Sequence, residues 1–70
     1  MEIEKIKIYL LKLQDRGMIG KFANSYDISF PMNIYNPDDF RIAVYVKENW
    51  YYIKPDDMKS YQDIDECLRI

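Results

Sequence analysis

The sequence predicts an α+β fold, a two-layer domain with N- and C-terminal helices on one face of a three-stranded antiparallel sheet (α-β-β-β-α). Residues 40–54, FRIAVYVKENWYYIK, alternate in period two and break once, which is typical of two antiparallel strands joined by a tight turn. Both ends of the chain instead repeat apolar residues at helical spacing. Since 70 residues leave room for one small core, we expect a single domain over residues 1–70.

The first helix is predicted over residues 2–16. Its apolar residues recur at helical spacing: Ile3, Ile6, Leu10 and Leu13. Gly17 supplies a C-terminal stop. A strand is the competing interpretation, because residues 6–10 also alternate. The length of the segment and its Leu, Lys, Gln and Glu content favour the helix.

Ile8 and Leu11 form a second apolar patch on this helix, because they project to nearly the opposite side from the main stripe. Two explanations stay open: burial against the other helix, or self-association of two copies of the chain. A homodimer through Ile8 and Leu11 is therefore one expected association.

The first strand is predicted within residues 22–30, where Tyr26, Ile28 and Phe30 alternate with polar residues. Pro31 ends it, because proline cannot donate to a strand ladder. In the connection that follows, residues 36–39 (Asn-Pro-Asp-Asp) predict an N-cap and one helical turn.

The hairpin is predicted to turn at Glu48-Asn49, which would pair Lys47 with Trp50 and Val44 with Ile53. Opposed residues share a face of a sheet. One face, the predicted core surface, would carry Ile42, Val44, Val46, Tyr51 and Ile53. The other would carry Ala43, Tyr45, Lys47, Trp50, Tyr52 and Lys54. Glu48 is a poor first residue for a type I′ turn, so a longer loop stays open, and a one-residue slip would exchange the faces.

The last helix is predicted to start at Pro55-Asp56-Asp57 and to run for about a dozen residues. Its apolar residues also recur at helical spacing: Met58, Tyr61, Ile64 and Leu68. With both helices on the apolar sheet face, the face of Tyr45, Trp50 and Tyr52 is expected to lack a cover from its own chain.

The residue inventory argues against most catalytic chemistry. The sequence has no histidine, one cysteine and two glycines. It thus lacks the usual neutral-pH base, the ligands of a zinc site and a phosphate-binding glycine loop. The carboxylate pairs Asp38-Asp39 and Asp56-Asp57 could hold a hard cation, but helix capping explains both. We therefore expect no catalytic residue, no metal site and no cofactor.

Cysteine content and charge suggest the setting of the protein. Its one cysteine, Cys67, excludes an internal disulfide and favours a cytoplasmic location; we interpret it as a partly buried small hydrophobe. Charges interrupt the first apolar residues, so we expect neither a signal peptide nor a membrane span. Residues 1–21 are basic and residues 55–70 acidic, which two solvated helix faces explain without a partner.

Aromatic content directs the functional hypothesis. Seven Tyr, three Phe and one Trp exceed what so small a core can hold. Tyr and Trp beside Lys are typical of protein interfaces. We therefore expect a non-enzymatic adaptor or inhibitor that binds a larger protein. The predicted binding residues are Tyr45, Lys47, Trp50, Tyr52 and Lys54.

Two alternatives stay open for this surface. The same residues could stack single-stranded nucleic acid, although the net charge of −2 argues against it. Trp50 and Tyr52 could instead complete the core. Small, acidic chains rich in Ile, Lys, Asn and Tyr are common among bacteriophage and mobile-element products that block host factors, and we carry that association as an expectation.

Overall fold

The computed structural model describes residues 1–24 and 40–70. They form two α-helices, three strands and a short 3₁₀ helix: α1 (Ile3–Asp15), β1 (Phe22–Asn24), β2 (Ile42–Val46), β3 (Asn49–Ile53), the 3₁₀ turn (Pro55–Asp57) and α2 (Tyr61–Leu68). The strands make one antiparallel sheet in the order β1-β2-β3. The predicted α-β-β-β-α fold is confirmed. Residues 25–30 of the predicted first strand and the predicted cap at residues 36–39 lie outside the described residues.

Both helices pack on the same face of the sheet. Their buried residues join one core with alternate residues of β2 and β3; its members are Ile6, Leu10, Leu13, Ile19, Ile42, Val44, Val46, Ile53, Ile64 and Leu68. Phe22 lies opposite Val44 and also packs against this core. Burial of these aliphatic side chains supplies the main driving force for folding, at roughly 25 cal/mol per Å² of apolar surface.

The end of α1 confirms helix rather than strand for the first segment. Gly17 has φ +72°, a left-handed conformation that glycine adopts without steric strain. Its N–H donates to the Gln14 carbonyl (3.0 Å), and the Met18 N–H donates to the Leu13 carbonyl (2.9 Å). This pair of bonds is the Schellman motif, which satisfies carbonyls that the last helical turn leaves unpaired.

The hairpin turns one residue earlier than predicted. Lys47 and Glu48 form the turn with φ 48° and 71°, the positive values that a type I′ turn requires. Val46 therefore pairs with Asn49, and Tyr45 pairs with Trp50. The predicted Lys47–Trp50 and Val44–Ile53 pairs are wrong.

The observed register opposes two aliphatic residues at the open end of the hairpin. The predicted register would have opposed Ile42 to Pro55. The observed register opposes Ile42 to Ile53, and both side chains are fully buried. Moving a two-residue turn by one position changes each pairing by two residues, so every strand residue keeps the face that the sequence predicted.

The start of α2 also differs from the prediction. Residues Pro55–Asp57 form only the 3₁₀ turn, and the eight-residue α2 begins at Tyr61 behind Ser60. The Ser60 hydroxyl accepts from the Asp63 N–H (3.4 Å), and the Asp63 carboxylate accepts from the Ser60 N–H (3.2 Å). This reciprocal capping box gives the helix a stronger start than a proline alone, because it satisfies two backbone donors.

β3 is an outer strand of the sheet, and α2 reaches its outer edge. A two-residue hairpin closes on a hydrogen-bonded pair, here Val46–Asn49, and such pairs alternate along the ladder. The backbone polar groups of Trp50 and Tyr52 therefore point away from β2. The Cys67 thiol of α2 donates to the Tyr52 carbonyl at 3.6 Å.

Candidate functional site

A β-bulge brings Lys21 to the sheet, opposite Tyr45. The Tyr45 N–H donates to the Lys21 carbonyl (2.8 Å), and the Gly20 N–H donates to the Tyr45 carbonyl (2.7 Å), so two residues of one chain segment face a single residue of β2. A Cβ atom at position 20 would lie 3.2 Å from the Tyr45 carbonyl oxygen. Glycine therefore permits the close approach that places Lys21 across from Tyr45.

Lys21, Tyr45 and Trp50 form a row across the sheet, called here the cation–aromatic row. The Lys21 ammonium lies 5.7 Å from the Tyr45 ring centroid and 5.6 Å from the Trp50 ring centroid. The two ring centroids are 5.1 Å apart, with an interplanar angle of 54°. These distances fit cation–π attraction and a tilted aromatic pair, each worth about 0.5–1.5 kcal/mol at a site of this kind.

The aromatic face is the sheet face opposite the core; it carries the cation–aromatic row, Ala43 and Tyr52. Trp50 and Tyr52 are each 38% exposed, Tyr45 is half-buried and Ala43 is buried. Neither Trp50 nor Tyr52 belongs to the core cluster. The alternative in which both rings complete the core is therefore not what the structure shows.

Basic residues border the aromatic face. Lys47 lies exposed in the hairpin turn, and Lys54 lies half-buried directly after β3. Arg41 precedes β2 at the register position opposite Lys54 and is exposed. With Lys21, these residues give the face four cationic neighbours, whereas the three strands as described contain no Asp or Glu. Among the described residues, these four cations outnumber Glu48 of the hairpin turn, so the described border of the face is opposite in sign to the net charge of −2.

The structure brings the predicted binding residues together unequally. Tyr45, Trp50 and Tyr52 share the aromatic face, as their alternation predicted, while Lys47 and Lys54 lie outside the strands at its ends. Lys21 is the residue that sequence reasoning missed. Its position depends on pairing with a strand more than twenty residues away in sequence, and a lone lysine after Gly20 carries no local signal of that pairing.

Ile8 and Leu11, predicted for self-association, lie apart from this face. Both side chains are 54% exposed on the outer side of α1. The explanation by burial against the other helix is therefore wrong, because Ile64 and Leu68 of α2 pack with the opposite stripe of α1. Self-association stays a prediction.

A second polar cluster joins the helices. The Tyr9 hydroxyl donates to the Asp65 carboxylate (2.6 Å), and the Tyr9 and Tyr61 ring centroids lie 4.6 Å apart. Burial, and then the bond to Asp65, raise the pKa of Tyr9 to about 12. The phenol stays protonated at neutral pH, so this cluster holds α1 against α2 and supplies no general base.

Little else in the described residues suggests reaction chemistry. Burial raises the pKa of the Cys67 thiol, which lowers its nucleophilic thiolate fraction. Within residues 1–24 and 40–70, no three Cys, Asp or Glu side chains converge as metal ligands. Asp56 and Asp57 lie in the 3₁₀ turn, and Asp38 and Asp39 lie outside the described residues. No helix among those described has the length and apolarity that crossing a bilayer requires.

Fold and site together define a small α+β domain with a cation-bordered aromatic sheet face. Comparisons of the chain with family models, with curated protein sequences and with solved structures give no match.

Proposed function

We propose that this chain is a non-enzymatic interaction protein, an adaptor or inhibitor, that binds a larger protein through its aromatic face. The observation that carries the proposal is the exposed Trp50 indole, held in the cation–aromatic row on the side of the sheet away from the core. Tyr52 lies on the same face and adds a second exposed ring with a polar tip. Trp and Tyr in such positions dominate the binding energy of many protein interfaces.

Order in the free protein supports the proposal. The Trp50 ring contacts Tyr45 and the Lys21 ammonium, so a partner would find it already placed. Immobilising a side chain on binding costs about 0.5–1.5 kcal/mol, and a ring held in advance loses less. The β2–β3 ladder beneath these residues fixes their spacing.

Affinity capture from a host lysate tests the proposal. The wild-type protein should retain a partner that Trp50→Ala and Tyr52→Ala lose. Tyr61→Ala is the matched control, since Tyr61 is also an exposed tyrosine but lies on α2. The proposal would be overturned if Trp50→Ala and Tyr52→Ala captured the partner to the same extent as the control Tyr61→Ala.

Single-stranded nucleic acid is the second candidate ligand. The observation that favours it is the placement of Lys21 on the aromatic face, with Arg41, Lys47 and Lys54 at its border. Backbone phosphates attract such cations, and bases stack on exposed aromatic rings. Binding of oligothymidylate that falls steeply with added salt would support this candidate, and no binding at low salt would remove it.

The setting of the protein is part of the proposal. A single, partly buried thiol suits a reducing cytoplasm. An origin in a bacteriophage or mobile element, with a host factor as the partner, rests on composition alone. A homodimer through Ile8 and Leu11 would leave the aromatic face available, because the two surfaces lie on opposite layers of the domain.

A further inference from the structure

We infer that the segment bound by the aromatic face is an acidic peptide segment of the partner protein, with Asp or Glu side chains placed beside apolar ones. This inference deepens the proposed function and rests on it. It starts from the charge around the face. Arg41, Lys47 and Lys54 border the aromatic face, and Lys21 lies on it.

Apart from Glu48, which shares the hairpin turn with Lys47, the acidic residues of the described chain lie away from the face. They occupy the two helices, their flanks and the 3₁₀ turn: Glu2, Glu4, Asp15, Asp56, Asp57, Asp63, Asp65 and Glu66. Complementary charge steers association and penalises partners of the wrong sign. The face therefore favours an anionic segment even though the chain as a whole is acidic.

Lys21 favours carboxylate over stacked bases. Its ammonium lies within 6 Å of both ring centroids of the row, at 5.7 Å from Tyr45 and 5.6 Å from Trp50. The cation thus occupies ring surface on which a base would stack. An ammonium steadied by two rings is instead placed to donate hydrogen bonds to a carboxylate, at a smaller loss of side-chain freedom than a free lysine.

An apolar depression at the hairpin end of the sheet suits the apolar side chains of such a segment. It has a volume of about 480 Å³ and is lined by Gly17, Met18, Ile19, Gly20, Lys47 and Ile70. Lys47 lines this depression and also borders the aromatic face, while Gly20 forms the bulge that precedes Lys21. A chain that crosses the face and continues past Lys47 at the hairpin turn would therefore reach the cations first and the apolar depression next.

Peptide titration tests the inference, with Trp50 fluorescence as the reading because it is the single tryptophan. The probes are a Trp-free twelve-residue peptide alternating Glu and Asp with Leu and Phe, and matched peptides with Lys or Gln in place of the acids. We expect the acidic peptide to bind at least about tenfold more tightly than the Gln peptide, and to weaken with added salt.

Charge reversal supplies the matched pair of variants. Lys21→Glu should weaken binding of the acidic peptide about tenfold or more. Lys12→Glu, on the exposed surface of α1, should change the affinity for this peptide by less than about twofold. Circular dichroism shows whether each variant is folded. Should Lys21→Glu unfold, Lys21→Gln is used instead, and a loss of at least about threefold is expected.

The outcomes separate the inference from the proposed function. Equal binding of the acidic and Gln peptides, or no acidic-peptide binding up to millimolar concentration, overturns the inference. Such a result leaves the capture experiment with Trp50→Ala to decide the proposed function. Both are overturned if the protein binds a twelve-residue oligothymidylate more tightly than the acidic peptide and if the lysate experiment captures no protein partner.

Discussion

Tyr9 makes the packing of the helices dependent on proton binding. Its pKa rises from about 10 in an unfolded chain to about 12 here, through burial and the bond to Asp65. A raised folded-state pKa gives stability that is fully present below pH 10 and is lost as pH rises toward 12. We expect urea midpoints to fall across this window and to fall less in Tyr9→Phe. An equal fall of the urea midpoint with pH in the wild type and in Tyr9→Phe would contradict the assignment of this pH dependence to Tyr9.

Cys67 should react slowly despite being the single thiol of the chain. Burial raises its pKa, and its sulfur lies against the Tyr52 carbonyl. Thiolate is the reactive form, so we expect alkylation at pH 8 to be about tenfold slower in the folded protein than in urea. Stopped-flow measurement with a chromogenic disulfide checks this. A folded rate equal to the unfolded rate would mean that α2 leaves the thiol exposed.

The hairpin turn is strained at Lys47 and Glu48. Both adopt positive φ, which costs non-glycine residues about 1 kcal/mol each. We therefore expect Lys47→Asn combined with Glu48→Gly to stabilise the protein by about 1–2 kcal/mol in urea unfolding. The control is Glu48→Asn with Asn49→Gly, which places the same dipeptide where the sequence predicted the turn. A greater gain from the control would show that the turn lies at the later position.

The capping box of α2 is expected to contribute as a unit. Ser60→Ala should destabilise the protein by about 1 kcal/mol, because the Asp63 N–H loses its acceptor at the start of an eight-residue helix. Asp63→Ala removes the reciprocal bond to Ser60. The double variant should cost less than the sum of the single variants, since each bond orients the other. Strict additivity in urea unfolding would contradict this coupling.

Sequence reasoning succeeded where periodicity alone decides the structure. The helical stripe of α1 and the two faces of the hairpin follow from spacing within one element, and the structure confirms both, except that Ile3 at the start of the stripe is 37% exposed. It failed where two local signals competed. For the turn, Asn49 tolerates positive φ, whereas Glu48 is a poor first turn residue, and the turn lies at Lys47-Glu48. Ser60 and Asp63 have the spacing of a capping box, but the pattern Pro55-Asp56 placed the predicted helix start too early in the sequence.

The residues of the candidate site also differ in whether the sequence alone could place them. Tyr45, Trp50 and Tyr52 could be assigned to one face, because alternation survives an error in turn position. Lys21 could not, because its place beside two rings depends on a bulge formed with a distant strand. Long-range pairing of this kind leaves no pattern in the residues around it.

At the scale of the whole molecule, two surfaces should respond to salt in opposite ways. A symmetric antiparallel contact centred on Ile8 and Leu11 would oppose Glu4 to Asp15 and Lys7 to Lys12, which are pairs of like charge. We therefore expect self-association through this patch to strengthen with salt, whereas acidic-peptide binding at the aromatic face weakens.

Light scattering over a concentration series measures this effect at about 0.05 and 0.5 M NaCl. Charge screening differs strongly between these two salt concentrations. Ile8→Ser with Leu11→Ser is the control and should remain monomeric in both buffers. A wild-type monomer at high micromolar concentration in both buffers would contradict self-association. A dimer that weakens with salt would point to a different contact.

The Cys67 thiol on the Tyr52 carbonyl has a consequence for solubility. Outer strands invite other chains to extend the sheet, which is how fibrils grow, and β3 is rich in the aromatic residues that favour such growth. The last turn of α2 hinders that addition at Tyr52. Fraying of the C-terminal helix would therefore seed aggregation while most of the hydrophobic interior was still folded.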